Sequence, residues 1–172
     1  MTKCLFEFIG TLVLVLLGDG VVASTVLKRS KGYGGGWVVI TMAWGFAVMC
    51  GVLIAGPWSG AHLNPAVSVG LAVAGSFPWA YVPGYIIAQL LGGFCGAVLV
   101  YLYYKDHFDA TDEPETKLGV FCTMPAIMNK PRNFFCEAVG TFLLVFVILA
   151  IGNELNTPEI GMGSLGSFPV TM

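Results

Sequence analysis

Long apolar runs separated by short polar breaks divide this chain into segments with the lengths of membrane spans. The first covers about residues 5–27 and ends in Lys28, Arg29, Lys31 and the turn-forming GYGGG of residues 32–36. A second, about residues 37–55, is expected to stop at Gly56-Pro57. A third covers about residues 81–104, with Pro83 in its first turn, where a missing amide costs little. Residues 105–131 form a connection too charged for lipid, and a fourth apolar run covers about residues 134–151. A spanning helix needs about 20 predominantly apolar residues. The pattern therefore predicts an all-α membrane protein.

Charge placement sharpens this reading. From Trp37 to Tyr104 there are 68 consecutive residues without an Asp, Glu, Lys or Arg, enough for two spans with a stretch left over. Only 10% of the 172 residues are charged and 56% are hydrophobic, against roughly 25% charged in a soluble domain. That balance excludes an ordinary cytosolic enzyme and a disordered regulator, and no catalytic constellation is identified. A net charge of −2 leaves no basic footprint for nucleic acid. The cysteines, Cys4, Cys50, Cys95, Cys122 and Cys136, show neither CxxC nor Cys/His spacing, so no disulfide framework, metal site or cofactor is expected. Val21-Val22-Ala23 has the form of a signal-peptide cleavage site, but its apolar run is long, is interrupted by Asp19 and has an internal counterpart. It is read as a span.

That counterpart is a repeat. FEFIGTLVLVLLG at residues 6–18 pairs with CEAVGTFLLVFVILA at 136–150, aligning Glu7 with Glu137, Gly10 with Gly140 and Thr11 with Thr141 at an offset of 130. A carboxylate in an apolar helix is costly, and its appearance twice in one local pattern argues for one structural job done twice. Three spans between the repeat starts imply halves inverted in the membrane, as in many transporters.

Between the second and third spans lies SGAHLNPAVSVGLAVAG, residues 59–75. Asn64-Pro65 is a helix start, a favoured N-cap followed by Pro at the first helical position. A helix over residues 65–74 would be about 15 Å long, half of the roughly 30 Å hydrocarbon core. Two readings fit the spacing. One is an interfacial loop with a short amphipathic helix. The other is a re-entrant half-helix, permitted at membrane depth where its free backbone groups line a watery cavity. On that second reading Gly60, Ala61, His62 and Leu63 offer carbonyls to a pore, Asn64 offers an amide, and the helix N-terminus adds positive partial charge.

SGAHLNPAV closely resembles the signature of the major intrinsic proteins, the aquaporins and glycerol facilitators. FEFIGT in the first span, PGYIIAQLLGG in the third and FCEAVGT in the fourth are similar to that family's segments in the same order. The resemblance implies an aquaporin-like bundle of six spans and two half-helices meeting at two Asn-Pro-Ala motifs, here Asn64, Pro65 and Ala66. It also implies a homotetramer in lipid with one pore per subunit. On this basis residues 1–172 are a single membrane domain, with a first repeat at about 1–130 and a second from about 131. The offset of 130 would put the second Asn-Pro-Ala near or beyond position 194. The second repeat is thus expected to be incomplete in this stretch, and a remnant that does not conduct is an alternative reading.

GDGVVA at residues 18–23 and LGVFCTMPA at 118–126 resemble bacterial glycerol facilitators, which places the protein in a cell membrane as a multi-pass channel. The resemblance implies passive permeation of glycerol and other small uncharged solutes, with some water; a water or lactic acid channel is the alternative solute reading. It implies that Trp44 walls the narrowest filter, with Val48 four residues on continuing the apolar wall on the same face. As an interfacial anchor, Trp44 would belong near a membrane face. Asn64 would donate to passing hydroxyls as well as cap its helix. His62 has the residue type of a ligand or relay, but with no second His in the spans it reads as loop fixation. Glu7 and Glu137 would be struts for the re-entrant loops; as proton-coupling carboxylates they would instead mark a secondary transporter. Asp19 has no symmetric partner and receives no role. Ala88, Gly92 and Gly96 form a small-residue stripe suited to close helix contact. The family's orientation, with the N-terminus in the cytoplasm, is adopted, although the excess of Lys and Arg in the connections favours the reverse.

Overall fold

The computed structural model describes residues 1–152. They form helices α1 (Thr2–Val26), α2 (Gly36–Ser59), α3 (Pro65–Val73), α4 (Val82–Tyr103), α5 (Lys105–Ala110), α6 (Pro114–Gly119) and α7 (Lys130–Ile151), with a 3-10 turn at Trp79–Tyr81 leading into α4. Among the described residues, four helical segments are long and apolar enough to cross a membrane: α1, α2, α4 with its leading turn, and α7. The all-α reading holds. The part of the repeat that falls beyond residue 152 lies outside the described residues.

Helix α1 is the centre of the bundle, packing against both α2 and α4. The α1–α4 contact rests on the small-residue stripe. Ala88 is buried, and a Cβ on Gly96 would come within 2.7 Å of the Leu12 carbonyl oxygen. At Gly92 it would collide with the carbonyl of Phe8. The α1–α2 contact uses Gly10 and Gly51, between which the Leu63 side chain is seated. Helix α3 packs on α4 and on α7, where Gly70 meets Val145.

Two boundaries differ from the sequence reading. Helix α2 runs through Pro57 to Ser59 instead of stopping at Gly56-Pro57. The clash that Pro inflicts on the residue before it involves that residue's Cβ, and Gly56 has none. The stop comes at Gly60, in the left-handed region at φ 86°, with its N–H donating to the Gly56 carbonyl at 3.1 Å. Helix α7 begins at Lys130, four residues before the apolar run, because Asn129 caps it by accepting from Arg132 N–H and Pro131 occupies the first turn. Helix α3 ends in a Schellman motif: Ser76 N–H donates to the Leu71 carbonyl and Gly75 N–H to that of Ala72, with Gly75 at φ 76°.

The charged connection is more ordered than its composition suggested. Phe108 and Val120 are buried with Ala23, Leu27 and Val100, and the Phe108 and Phe121 rings stack at 5.6 Å. Lys28 fastens this layer to the end of α1. Its N–H donates to Thr111 Oγ1 at 2.9 Å, and its ammonium pairs with Glu113 at 2.8 Å and Asp112 at 3.6 Å.

Candidate functional site

Four residues, 60–63, turn the chain from the end of α2 to the start of α3, and their backbone is unusual. Gly60, Ala61 and Leu63 all have positive φ, at 86°, 50° and 52°. For a residue with a Cβ, the left-handed region costs roughly 1–2 kcal/mol, so Ala61 and Leu63 need an external hold.

Glu7 supplies it. This carboxylate is 0% exposed and accepts four hydrogen bonds. Oε1 accepts from Ser59 Oγ at 2.6 Å and from His62 N–H at 2.9 Å; Oε2 accepts from Leu63 N–H and from Gln89 Nε2, both at 2.8 Å. Hydrogen bonds to a charged acceptor are worth about 1.5–3 kcal/mol each, enough together to offset both the loop strain and the desolvation of the carboxylate.

A second layer braces the first. Ser68 Oγ lies 3.0 Å from His62 Nδ1 and accepts from Gln89 Nε2 at 3.1 Å, while Tyr85 Oη donates to the Ser59 carbonyl at 2.7 Å. The His62 ring is packed against Phe77 at 4.4 Å and Tyr85 at 4.9 Å. Ser59, Ser68, Tyr85 and Gln89 were not singled out from the sequence. A signal existed for Gln89, an amide side chain in a span otherwise free of strongly polar groups.

With the amides of His62 and Leu63 turned to Glu7, the carbonyls of residues 60–63 accept no hydrogen bond among the described residues. Asn64 is half-buried and divides its side chain. Oδ1 accepts from Ala66 N–H at 2.8 Å as the cap of α3, whereas Nδ2 has no partner among the described residues. Pro65 and Ala66 form the first turn of the half-helix. The structure thus gathers Glu7 with residues 60–66 around one loop.

The remaining sequence candidates lie elsewhere. Trp44 is half-buried in the first half of α2, its ring against Gly18, where a Cβ would come within 2.6 Å. It lines a cavity of about 900 Å³ bounded by the second half of α1, the start of α2 and residues 115–124 of the connection. Val48 is half-buried one turn further along α2 and does not line that cavity. Glu137 is exposed on α7, and its side chain makes no hydrogen bond among the described residues.

The family model for Major intrinsic protein matches residues 1–169. A probable glycerol uptake facilitator protein of Thermotoga maritima is 54% identical over 152 residues, covering 88% of this chain and 65% of its own length. Glycerol uptake facilitator protein 3 of Lactiplantibacillus plantarum is 53% identical over 148 residues, covering 86% of this chain and 62% of its own. Among solved structures, the aquaglyceroporin from Plasmodium falciparum superimposes with a TM-score of 0.59 at 40% identity, over 63% of this chain and 43% of that one. The chain thus spans less than two thirds of the length of each of these three relatives.

Proposed function

The chain belongs to the major intrinsic protein family, and from that premise we propose that the full-length protein is a cell-membrane channel for passive permeation of glycerol and other small uncharged solutes, with some water. The observation that carries this reading is the row of carbonyls at residues 60–63, unpaired among the described residues and ending at the Asn64 amide, which is likewise unpartnered there. A hydroxylic solute leaving water must exchange its hydrogen bonds for others. Successive carbonyls accept its O–H groups, and Asn64 Nδ2 donates to its oxygens. No covalent chemistry is involved.

Each neighbouring group has a part on this reading. Glu7 is a strut, holding two strained residues so that their carbonyls stay unpaired. Its two oxygens are already committed to four donors, which weighs against a coupling role in proton transport. Glu137 takes the matching position in the second repeat. The N-terminus of α3 presents positive partial charge, a barrier to cations and protons of the kind that helps set aquaporin selectivity. Trp44, with Val48 beyond it, offers the carbon edge of a polyol an apolar wall. Residues 1–172 form one membrane domain, with a first repeat to about 130 and a second from about 131. Copies assemble in lipid as a homotetramer. Stopped-flow light scattering on proteoliposomes of the full-length protein tests the reading, which requires glycerol flux well above that of protein-free vesicles.

A further inference from the structure

The first span carries two buried carboxylates, and among the described residues only one of them has hydrogen-bond partners. Glu7 takes four donors. Asp19, twelve residues later on the same helix and only 7% exposed, takes none among the described residues. An intramembrane carboxylate is expensive to keep, and a buried polar group without a partner in a native structure calls for an explanation.

Its surroundings provide one. Asp19 lines the cavity of about 900 Å³ together with Trp37, Trp44, Thr25, Thr41 and Glu115. This is the size and mix of a small-molecule site, largely apolar and aromatic with a few polar groups. The Thr25 and Thr41 hydroxyls donate to the backbone carbonyls of Val21 and Val38, so their protons are committed. Among the described residues, no Lys or Arg lines the cavity. The Asp19 carboxyl oxygens are acceptors, so a guest that pairs with them brings donors, and an anionic guest meets two carboxyl groups and no counter-charge.

We propose that Asp19 is the anchor of a solute-binding site in this cavity, its two oxygens accepting paired hydroxyls of a small polyol whose carbon edge lies against Trp44 and Trp37. This rests on the channel reading for its choice of polyol. It adds a specificity-determining residue at a distance from the loop of residues 60–66.

The test is a glycerol titration of the full-length protein in nanodiscs, followed by indole emission with every tryptophan other than Trp37 and Trp44 changed to Phe, so that these two report. Glycerol should give a saturable change. Asp19→Asn, which keeps one acceptor, should raise the half-saturation concentration about threefold, and Asp19→Val at least tenfold. In proteoliposomes Asp19→Val should lower the ratio of glycerol to water permeability at least threefold. Titration curves identical in wild type and Asp19→Val would overturn the proposal. So would equal losses of glycerol and water permeability, or an Asp19-dependent response to ammonium ion with none to glycerol. Asp19-dependent glycerol binding in a protein that does not conduct glycerol would uphold this site and refute the channel reading. Glycerol conduction that is indifferent to Asp19 would do the opposite.

Discussion

Glu7 accepts the Leu63 amide at 2.8 Å across 56 positions of sequence, and that bond ties the first transmembrane helix to a residue held in the left-handed region at φ 52°. The strain at Leu63 and the burial of Glu7 are two costs that offset each other. Leu63 fills the gap between Gly10 and Gly51, so the same residue also locks α1 to α2.

Replacing Glu7 should therefore damage the loop before it damages the bundle. Glu7→Gln keeps the shape and one acceptor oxygen but turns an NH2 toward at least one donor, at a cost of about 1–3 kcal/mol. Glu7→Ala strands four donors and should cost more, with flux per inserted molecule falling further. Thermal unfolding in detergent, alongside glycerol flux, checks the order Gln milder than Ala.

Asn64 should separate into its two halves. Asn64→Ala removes the cap and should cost about 0.5–2 kcal/mol of stability. Asn64→Asp keeps an oxygen for the Ala66 amide and removes the Nδ2 donor, so it should remain stable and still lose most glycerol flux. Flux normalised to surface protein reads the difference; unchanged flux in Asn64→Asp would make Asn64 a cap alone.

Much of this arrangement was legible in the sequence because it follows from composition and caps. The absence of charge from Trp37 to Tyr104 marked the spans, and Asn64-Pro65 marked the start of the half-helix. The repeat points to Glu7 and the family resemblance to the loop it braces, but neither points to Ser59 and Gln89, which converge on it only through tertiary packing. The continuation of α2 through Pro57 was hidden because Gly56 relieves the clash that usually ends a helix there. The positive φ of Ala61 and Leu63 could not be read from residue type, which disfavours it. The charge of residues 105–131 conceals Phe108 and Val120 as core.

The stripe on α4 should tolerate no added carbon. Gly92→Ala would place a methyl group against the Phe8 backbone carbonyl, which cannot swing aside as a side chain would. Overpacking of this kind costs typically about 1–3 kcal/mol. A lower unfolding temperature for Gly92→Ala than for Gly93→Ala, whose added carbon would meet ordinary contacts at 3.8 Å and 4.0 Å, is the expected result.

The clasp at the end of α1 should depend on its buried hydrogen bonds and little on its charges. Thr111 is buried, accepts from Lys28 N–H and donates to the His107 carbonyl; Thr111→Val should cost about 1–3 kcal/mol. The hydrogen bond from Lys28 holds the Glu113 carboxyl below the ordinary carboxylate range. Its contribution is therefore present above that range and lost as pH falls through the lowered value. Both partners are solvent-exposed and screened, so Lys28→Ala should shift the unfolding midpoint far less than Thr111→Val.

The most direct test of the account is glycerol and water permeability of the full-length protein measured side by side in proteoliposomes. The protein should speed glycerol equilibration more than it speeds water, with no accumulation of glycerol against its gradient when the outside is acidified. Rapid water flux with no glycerol flux, or uphill glycerol accumulation driven by the pH gradient, would contradict it.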